Sequence, residues 1–291
     1  MNTFRILNRL IIPLLLTASI ASCGVLNNIT SAIGLTEEEE QDQTALLALA
    51  WWLTQNDDST SSPPCNTSLG SGLPSWITDN FTCMTIYVSG SNYVFESTDQ
   101  PPYNSMYYTV SDWYEAPCNG NSPNPNTISA QNIVMTIPQT QDNSNTASTL
   151  GIMGLATNGV ALFNDQAAPG DTLANEVSTF DCSQGHPTDT GRYHYHTQPT
   201  TITNGDSALT GVMIDGYPLY GQKNQDGSDP GVNSGDPTSE GSAVTDPHGH
   251  TATTNEFGTI FHYHVGDGTS GTVYTYLIGT NSQGSHGTVS N

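Results

Sequence analysis

Seven of the eight histidines in this 291-residue chain fall in two short stretches. "GHPTDTGRYHYH" carries His186, His194 and His196, and "HGHTATTNEFGTIFHYH" carries His248, His250, His262 and His264. Neutral imidazole is a strong ligand for zinc, copper, nickel and iron, and three such ligands leave a coordination position open. The two stretches therefore predict transition-metal chemistry, with copper or zinc as the expected ion for an all-nitrogen donor set. The six histidines His186, His194, His196, His250, His262 and His264 could form two three-ligand sites. They could equally form one dinuclear centre, with His248 as an additional candidate.

Residues around the histidines suggest supporting roles. Asp181 and Asp246 precede the two Gly-His dipeptides and could orient an imidazole through its second nitrogen, or cap a turn. Asp215 occupies a hairpin position from which a carboxylate could join a two-His-one-carboxylate site. Cys182, in "DCSQGH", could be a thiolate ligand, although pairing in a disulfide is the preferred reading. Arg192 adjoins the first YHYH string and could bind an anion or a carboxylate. His286 stands alone in the C-terminal tail and is assigned no chemistry.

Strands are the elements that would position these side chains. Residues i and i+2 of a strand share a face, so His194 and His196 oppose Tyr193 and Tyr195, and His262 and His264 oppose Phe261 and Tyr263. The tyrosine faces can then pack in a core while the imidazole faces line a cleft or the surface, and each Gly-His turn can swing a third imidazole toward its pair. Upstream of each string lies a second shared pattern, "GLATNGVALFND" from Gly154 and "GVMIDGYPLYGQ" from Gly211. Asn158-Gly159 and Asp215-Gly216 between apolar runs predict tight hairpins with type I′ turns. The recurring order of hairpin, Asp, Gly-His and HYH predicts a tandem duplication, residues 154–196 and 211–264, folded as one β domain with approximate two-fold symmetry.

The rest of the chain predicts a mainly β protein with a leader. Residues 1–22 read as a secretion signal, and the run Ile20, Ala21, Ser22, Cys23 resembles a bacterial lipobox, which makes Cys23 the expected lipidation site. Residues 23–64 then form a lipid-anchored linker, with one helix over about 36–55 that opens on a capping box at Thr36 and Glu39. Residues 65–127 read as a small, tyrosine-rich β region tied by disulfides, and residues 128–291 as the histidine-bearing β domain. Cys65, Cys83, Cys118 and Cys182 remain after Cys23, an even number that predicts two disulfides of unspecified connectivity. "NQDGSDPGVNSGDP" has the composition of a calcium loop without the EF-hand register and is read as a surface loop.

Charge excludes some partners. Four basic residues stand against 27 acidic ones, a formal net charge of −23. Removing the leader would leave only Arg192 and Lys223, so nucleic acid is excluded as a partner, and the membrane contact expected is the lipid at Cys23.

The motifs "IMGLATNGVALFND", "FDCSQGHPTDTGRYHYH", "GVMIDGYPLYG", "HGHTATTNEFGTIFHYH" and "YTYLIG" together resemble the YHYH-domain proteins over residues 128–279. Two departures stand out: Phe261 replaces a tyrosine in the second string, and Asp246-Pro-His248 replaces the cysteine-containing approach of the first. The resemblance implies a module and no particular reaction. Three functions are expected to compete: a cell-envelope lipoprotein of the outer membrane that binds copper or zinc, a metal-dependent hydrolase or copper oxidoreductase at the same histidines, and an adhesive module with structural histidines.

Overall fold

A computed structural model describes residues 62–227, 248–266, 279 and 281–291. Cys23, the helix expected over about 36–55, Asp246 and residues 228–237 of the acidic loop lie outside these. Among the described residues fifteen strands occur in chain order. They are β1 (Ser68–Leu69), β2 (Met84–Ser89), β3 (Asn92–Ser97), β4 (Ile133–Pro138), β5 (Thr146–Ala147), β6 (Gly154–Ala156), β7 (Ala161–Leu162) and β8 (Gly185–Pro187). There follow β9 (Tyr193–Tyr195), β10 (Leu209–Met213), β11 (Pro218–Tyr220), β12 (Gly249–Thr254), β13 (Gly258–His264), β14 (Asn281–Ser282) and β15 (Thr288–Ser290). Two short helices, α1 (Ser75–Thr78) and α2 (Leu173–Glu176), lie among these mainly β described residues, and a 3-10 turn, Val177–Thr179, continues α2.

A five-stranded sheet has the order β1-β2-β3-β4-β15. Strand β4 alternates buried and half-buried residues, Ile133, Met135 and Ile137 pointing inward, as the period of two requires. It pairs with β3 on one side and with the C-terminal β15 on the other, so the tyrosine-rich segment shares a sheet with strands on both sides of the histidine motifs.

The histidines belong to an eight-stranded sheet, β12-β13-β11-β10-β6-β7-β9-β8. Its central pair β10 and β6 is antiparallel, and each member forms a hairpin with the next strand outward, β11 or β7. Those strands run parallel to β13 and β9, which in turn pair antiparallel with the edge strands β12 and β8. The central strands are buried along their whole length, and Leu155, Ala161, Leu162, Val212 and Leu219 share one apolar core with Ile86, Phe95, Ile133 and Met135 of the other sheet. Four strands separate β9 from β13 in the sheet, yet the segments after them meet. Gln198 donates its backbone N–H, and Thr197 its hydroxyl, to the carbonyl of Gly266, each at 2.8 Å. The sheet is therefore strongly curled.

Both expected hairpins form, with a different turn. Gly159 and Gly216 have φ of 86° and 85°, while Asn158 and Asp215 are absent from the residues of positive φ. Gly159 N–H bonds Ala156 O at 2.9 Å while Ala156 N–H bonds Val160 O, and Met213 to Tyr217 repeats the pattern. These are three-residue loops in which a turn is followed by a left-handed glycine bulge, so only one position per loop needs glycine and a type I′ turn is not used. The Asn158 and Asp215 side chains instead accept from the N–H groups of Val160 and Tyr217.

Two disulfides join Cys65 to Cys83 and Cys118 to Cys182. Cys182 is thereby removed as a thiolate ligand. Among the described residues no helix is long and apolar enough to cross a membrane.

Candidate metal centres

Strand register builds each histidine cluster. In the β8–β9 pair His186 lies directly opposite His194, and in the β12–β13 pair His250 lies directly opposite His262. Directly opposed residues of an antiparallel pair point to the same face, with Cα atoms about 4.5–5.5 Å apart. His196 and His264, two residues further along, add a third imidazole on that face. The Gly-His dipeptides thus begin strands and are not turns. Both glycines are required by their neighbours. A Cβ on Gly185 would stand 2.3 Å from the Tyr193 ring, and one on Gly249 would stand 2.3 Å from the His262 carbonyl oxygen.

The result is two groups of three ring nitrogens, each group within 4.8 Å: His186, His194 and His196, and His250, His262 and His264. The six imidazoles do not join in one group. In the first, Nε2 of His194 lies 3.1 Å from Nε2 of His186 and 3.0 Å from Nε2 of His196. In the second, Nε2 of His250 lies 3.1 Å from that of His262 and 3.0 Å from that of His264. A metal bonded to imidazole at about 2.0–2.1 Å separates adjacent ligand atoms by roughly 2.9–3.4 Å, so both groups have metal-site dimensions.

The opposite ring nitrogens fix the tautomers. Nδ1 of His194 contacts the Arg192 carbonyl at 3.2 Å, and Nδ1 of His196 contacts the Asn164 carbonyl at 2.7 Å. A carbonyl only accepts, so each Nδ1 carries the ring's hydrogen. Nδ1 of His186 lies 2.8 Å from the Thr179 hydroxyl, which already donates its own hydrogen to the Glu176 carbonyl. His186 therefore donates as well. All three neutral rings of the first triad are left with bare Nε2 lone pairs aimed at one another. In the second triad His262 and His264 donate from Nδ1 to the carbonyls of Ile260 and Gly221, at 3.2 and 2.7 Å.

Burial keeps these rings neutral. His186, His194 and His196 are 6, 4 and 2 % exposed, and desolvation takes His186 down to about 3, His196 to about 4 and His194 well below the usual range. Burial likewise takes His262 to about 4 and His264 to about 3. The imidazole face of the first triad is thus interior rather than lining an open surface, whereas in the second His262 and His264 are buried and His250 is half-buried. Phe163 stacks on His194 with ring centroids 3.9 Å apart, and Phe180 meets His186 edge-on at 4.9 Å.

A fourth group at the first triad escaped the sequence reading. Oε2 of Glu176, the last residue of α2, stands 3.5 Å from Nε2 of His196 and 3.8 Å from Nε2 of His186. Burial raises the Glu176 pKa, against a hydrogen bond from the Ala168 backbone. Nothing in "DTLANEVSTF" marked Glu176, because it reaches the site only through the fold of the segment between β7 and β8. Thr179 was missed for the same reason.

The aspartates serve the tyrosine faces instead. Asp181 accepts from the hydroxyls of Ser105 and Tyr193 at 2.5 and 2.7 Å, and from the N–H groups of Ser183 and Gly185. It caps a turn and holds Tyr193, and these hydrogen bonds involve no imidazole. Asp215 accepts from the Tyr263 hydroxyl at 2.5 Å and from the N–H groups of Tyr217 and Gly284. Burial raises the pKa of both carboxyls, opposed by these hydrogen bonds. On the same side the Tyr103 hydroxyl meets those of Tyr193 and Tyr195. His248 stands just before β12 and offers its backbone carbonyl to the N–H of His264. Arg192 contributes its carbonyl to His194, and its Nε is buried without a hydrogen-bond partner. His286 contacts the Ser282 hydroxyl, apart from both triads.

Residues 132–270, which contain both triads, match the family model described as YHYH protein. No curated protein and no solved structure matches the chain.

Proposed function

We propose that the YHYH domain carried by residues 132–270 is a transition-metal binding module, each histidine triad holding one copper or zinc ion, in a lipoprotein tethered to the cell envelope through Cys23. The observation that carries this reading is the facing pair of nitrogens on His194 and His196, 3.0 Å apart with no hydrogen between them. Two lone pairs at that distance repel, and a buried polar atom without a partner costs about 1–3 kcal/mol. A bound cation turns the repulsion into coordination. Purely structural histidines would spend one N–H on each other, which supports metal holding over the adhesive reading.

Burial favours holding over catalysis. With 2–6 % exposure, the first triad suits an ion kept in place better than one that must meet a substrate. The sheet order, the same kinds of pairing outward from β6 and β10, supports descent from a duplicated unit. In such a module the chain's own residues do three things. The strands set the spacing of the nitrogens, backbone carbonyls and Thr179 orient the rings, and Phe163 and Phe180 exclude water.

The test is elemental analysis of the full chain, purified without chelator, beside a variant carrying His194→Ala and His196→Ala. Two equivalents in the parent and one in the variant are expected. No metal in either protein after exposure to excess copper and zinc would sink the proposal.

A further inference from the structure

We infer that Glu176 Oε2 is the fourth donor of the first triad, so that this site presents three nitrogens and one carboxylate oxygen to a divalent ion such as zinc or copper(II). The inference rests on the metal-binding reading of the triads and adds a ligand and a charge to it.

Four atoms close a ring at this site. Its edges are 3.1 Å from His194 to His186, 3.8 Å from His186 to Glu176, 3.5 Å from Glu176 to His196 and 3.0 Å from His196 to His194. Roughly 2.9–3.4 Å is the adjacent-ligand spacing around a zinc or copper ion. The three nitrogens lie within 4.8 Å of one another without Glu176, so its carboxylate must move inward on binding to complete the set.

The orphaned oxygen is an independent observation. Glu176 Oε2 is buried and has no hydrogen-bond partner, and the Glu176 side chain is only 13 % exposed. It faces Nε2 of His186 and of His196, whose lone pairs point at the site, and neither carries a hydrogen to give. Oxygen and nitrogen lone pairs crowd one small volume from four directions. A cation there satisfies all of them at once. The carboxylate also sets the class of ion, because hard oxygen with imidazole suits divalent zinc or copper, whereas monovalent copper prefers soft sulfur ligands.

The local fold holds Glu176 there for a reason. Thr172 caps α2 by accepting from the N–H of Asn175, and Thr179 binds the Glu176 carbonyl while accepting from His186. One short segment thus places a donor and orients another. The disulfide from Cys118 to Cys182 fastens the chain a few residues beyond it.

The test is zinc(II) titration of the full chain against a chromophoric chelator, in the parent, Glu176→Gln, the His194→Ala/His196→Ala double variant, and the triple variant. Glu176→Gln should weaken one of two sites at least tenfold and leave the other unchanged, and that retained site shows that the variant is folded. The same change should do nothing further in the double variant. Parent-like binding by Glu176→Gln, with both sites intact, would overturn the inference while leaving the triads as metal sites. A parent that binds no zinc would overturn the metal reading itself, and this inference with it.

Discussion

Tyr263 donates its hydroxyl hydrogen to the buried carboxylate of Asp215 at 2.5 Å. At the corresponding place beside the first triad, Asn158 donates from Nδ2 to the hydroxyl of Tyr195 at 3.0 Å. Each contact ties a hairpin loop to the strand that bears the histidines, from the face opposite the imidazoles. Tyr263→Phe leaves an acidic oxygen with one fewer partner in the interior, at a cost of about 1–3 kcal/mol. Tyr195→Phe deprives two neutral groups, the Asn158 amide and the Tyr103 hydroxyl, and no carboxylate, so it should cost less. Urea unfolding of the two variants measures the order, and an equal or reversed ranking would refute this account of the tyrosine face.

The two triads should lose metal separately. They are distinct nitrogen groups carried by opposite ends of one sheet. His262→Ala with His264→Ala should remove one equivalent, the His194/His196 pair the other, and all four changes both. Loss of both equivalents from either double variant would point to a single shared centre.

Bound metal should stabilise the fold. A ligand at 100 times its Kd adds about 2.7 kcal/mol per site when it binds only the folded chain. Chelator should therefore lower Tm in the parent, and by less in either double variant. A Tm indifferent to chelator in a metal-loaded sample would contradict binding within the folded core.

Acid should weaken the metal-free protein. Burial holds His186 and His264 near 3 and His196 and His262 near 4, whereas unfolded histidines titrate near about 6.5. Between those values the unfolded chain binds protons that the folded chain does not. The stability is thus fully present above about pH 6.5 and falls as pH drops toward 4. Urea midpoints of chelator-treated protein at pH 7.5, 6 and 5 should decrease in that order; a flat series would mean that the imidazoles are not buried as described.

Thr179→Val removes the oxygen that receives Nδ1–H of His186 while keeping the side chain's shape. Loss of such an orienting partner commonly weakens metal binding 10–100-fold. The first site alone should respond in a chelator competition, and an unchanged affinity would show that His186 needs no such orientation.

Much of this geometry follows from local sequence. Alternation in "YHYH" and "FHYH" puts imidazoles on one face because a strand repeats every two residues, whatever surrounds it. Asn158-Gly159 and Asp215-Gly216 mark hairpins because the chain must reverse between apolar runs, although the loop geometry depends on one more residue than the dipeptide shows. Four cysteines beyond Cys23 imply two disulfides by number alone.

The tertiary structure decided what local rules leave free. Register set His186 against His194 and His250 against His262, and a slip of one residue would have turned each triad's third ring to the wrong face. Strand order divided six histidines into two groups, and long-range packing turned Asp181 and Asp215 toward tyrosines. The pairing of Cys118 with Cys182 and the arrival of Glu176 beside His196 have the same origin. A side chain's direction along a strand is fixed by its immediate backbone, but its neighbours across the sheet are chosen by the whole chain's burial of apolar surface.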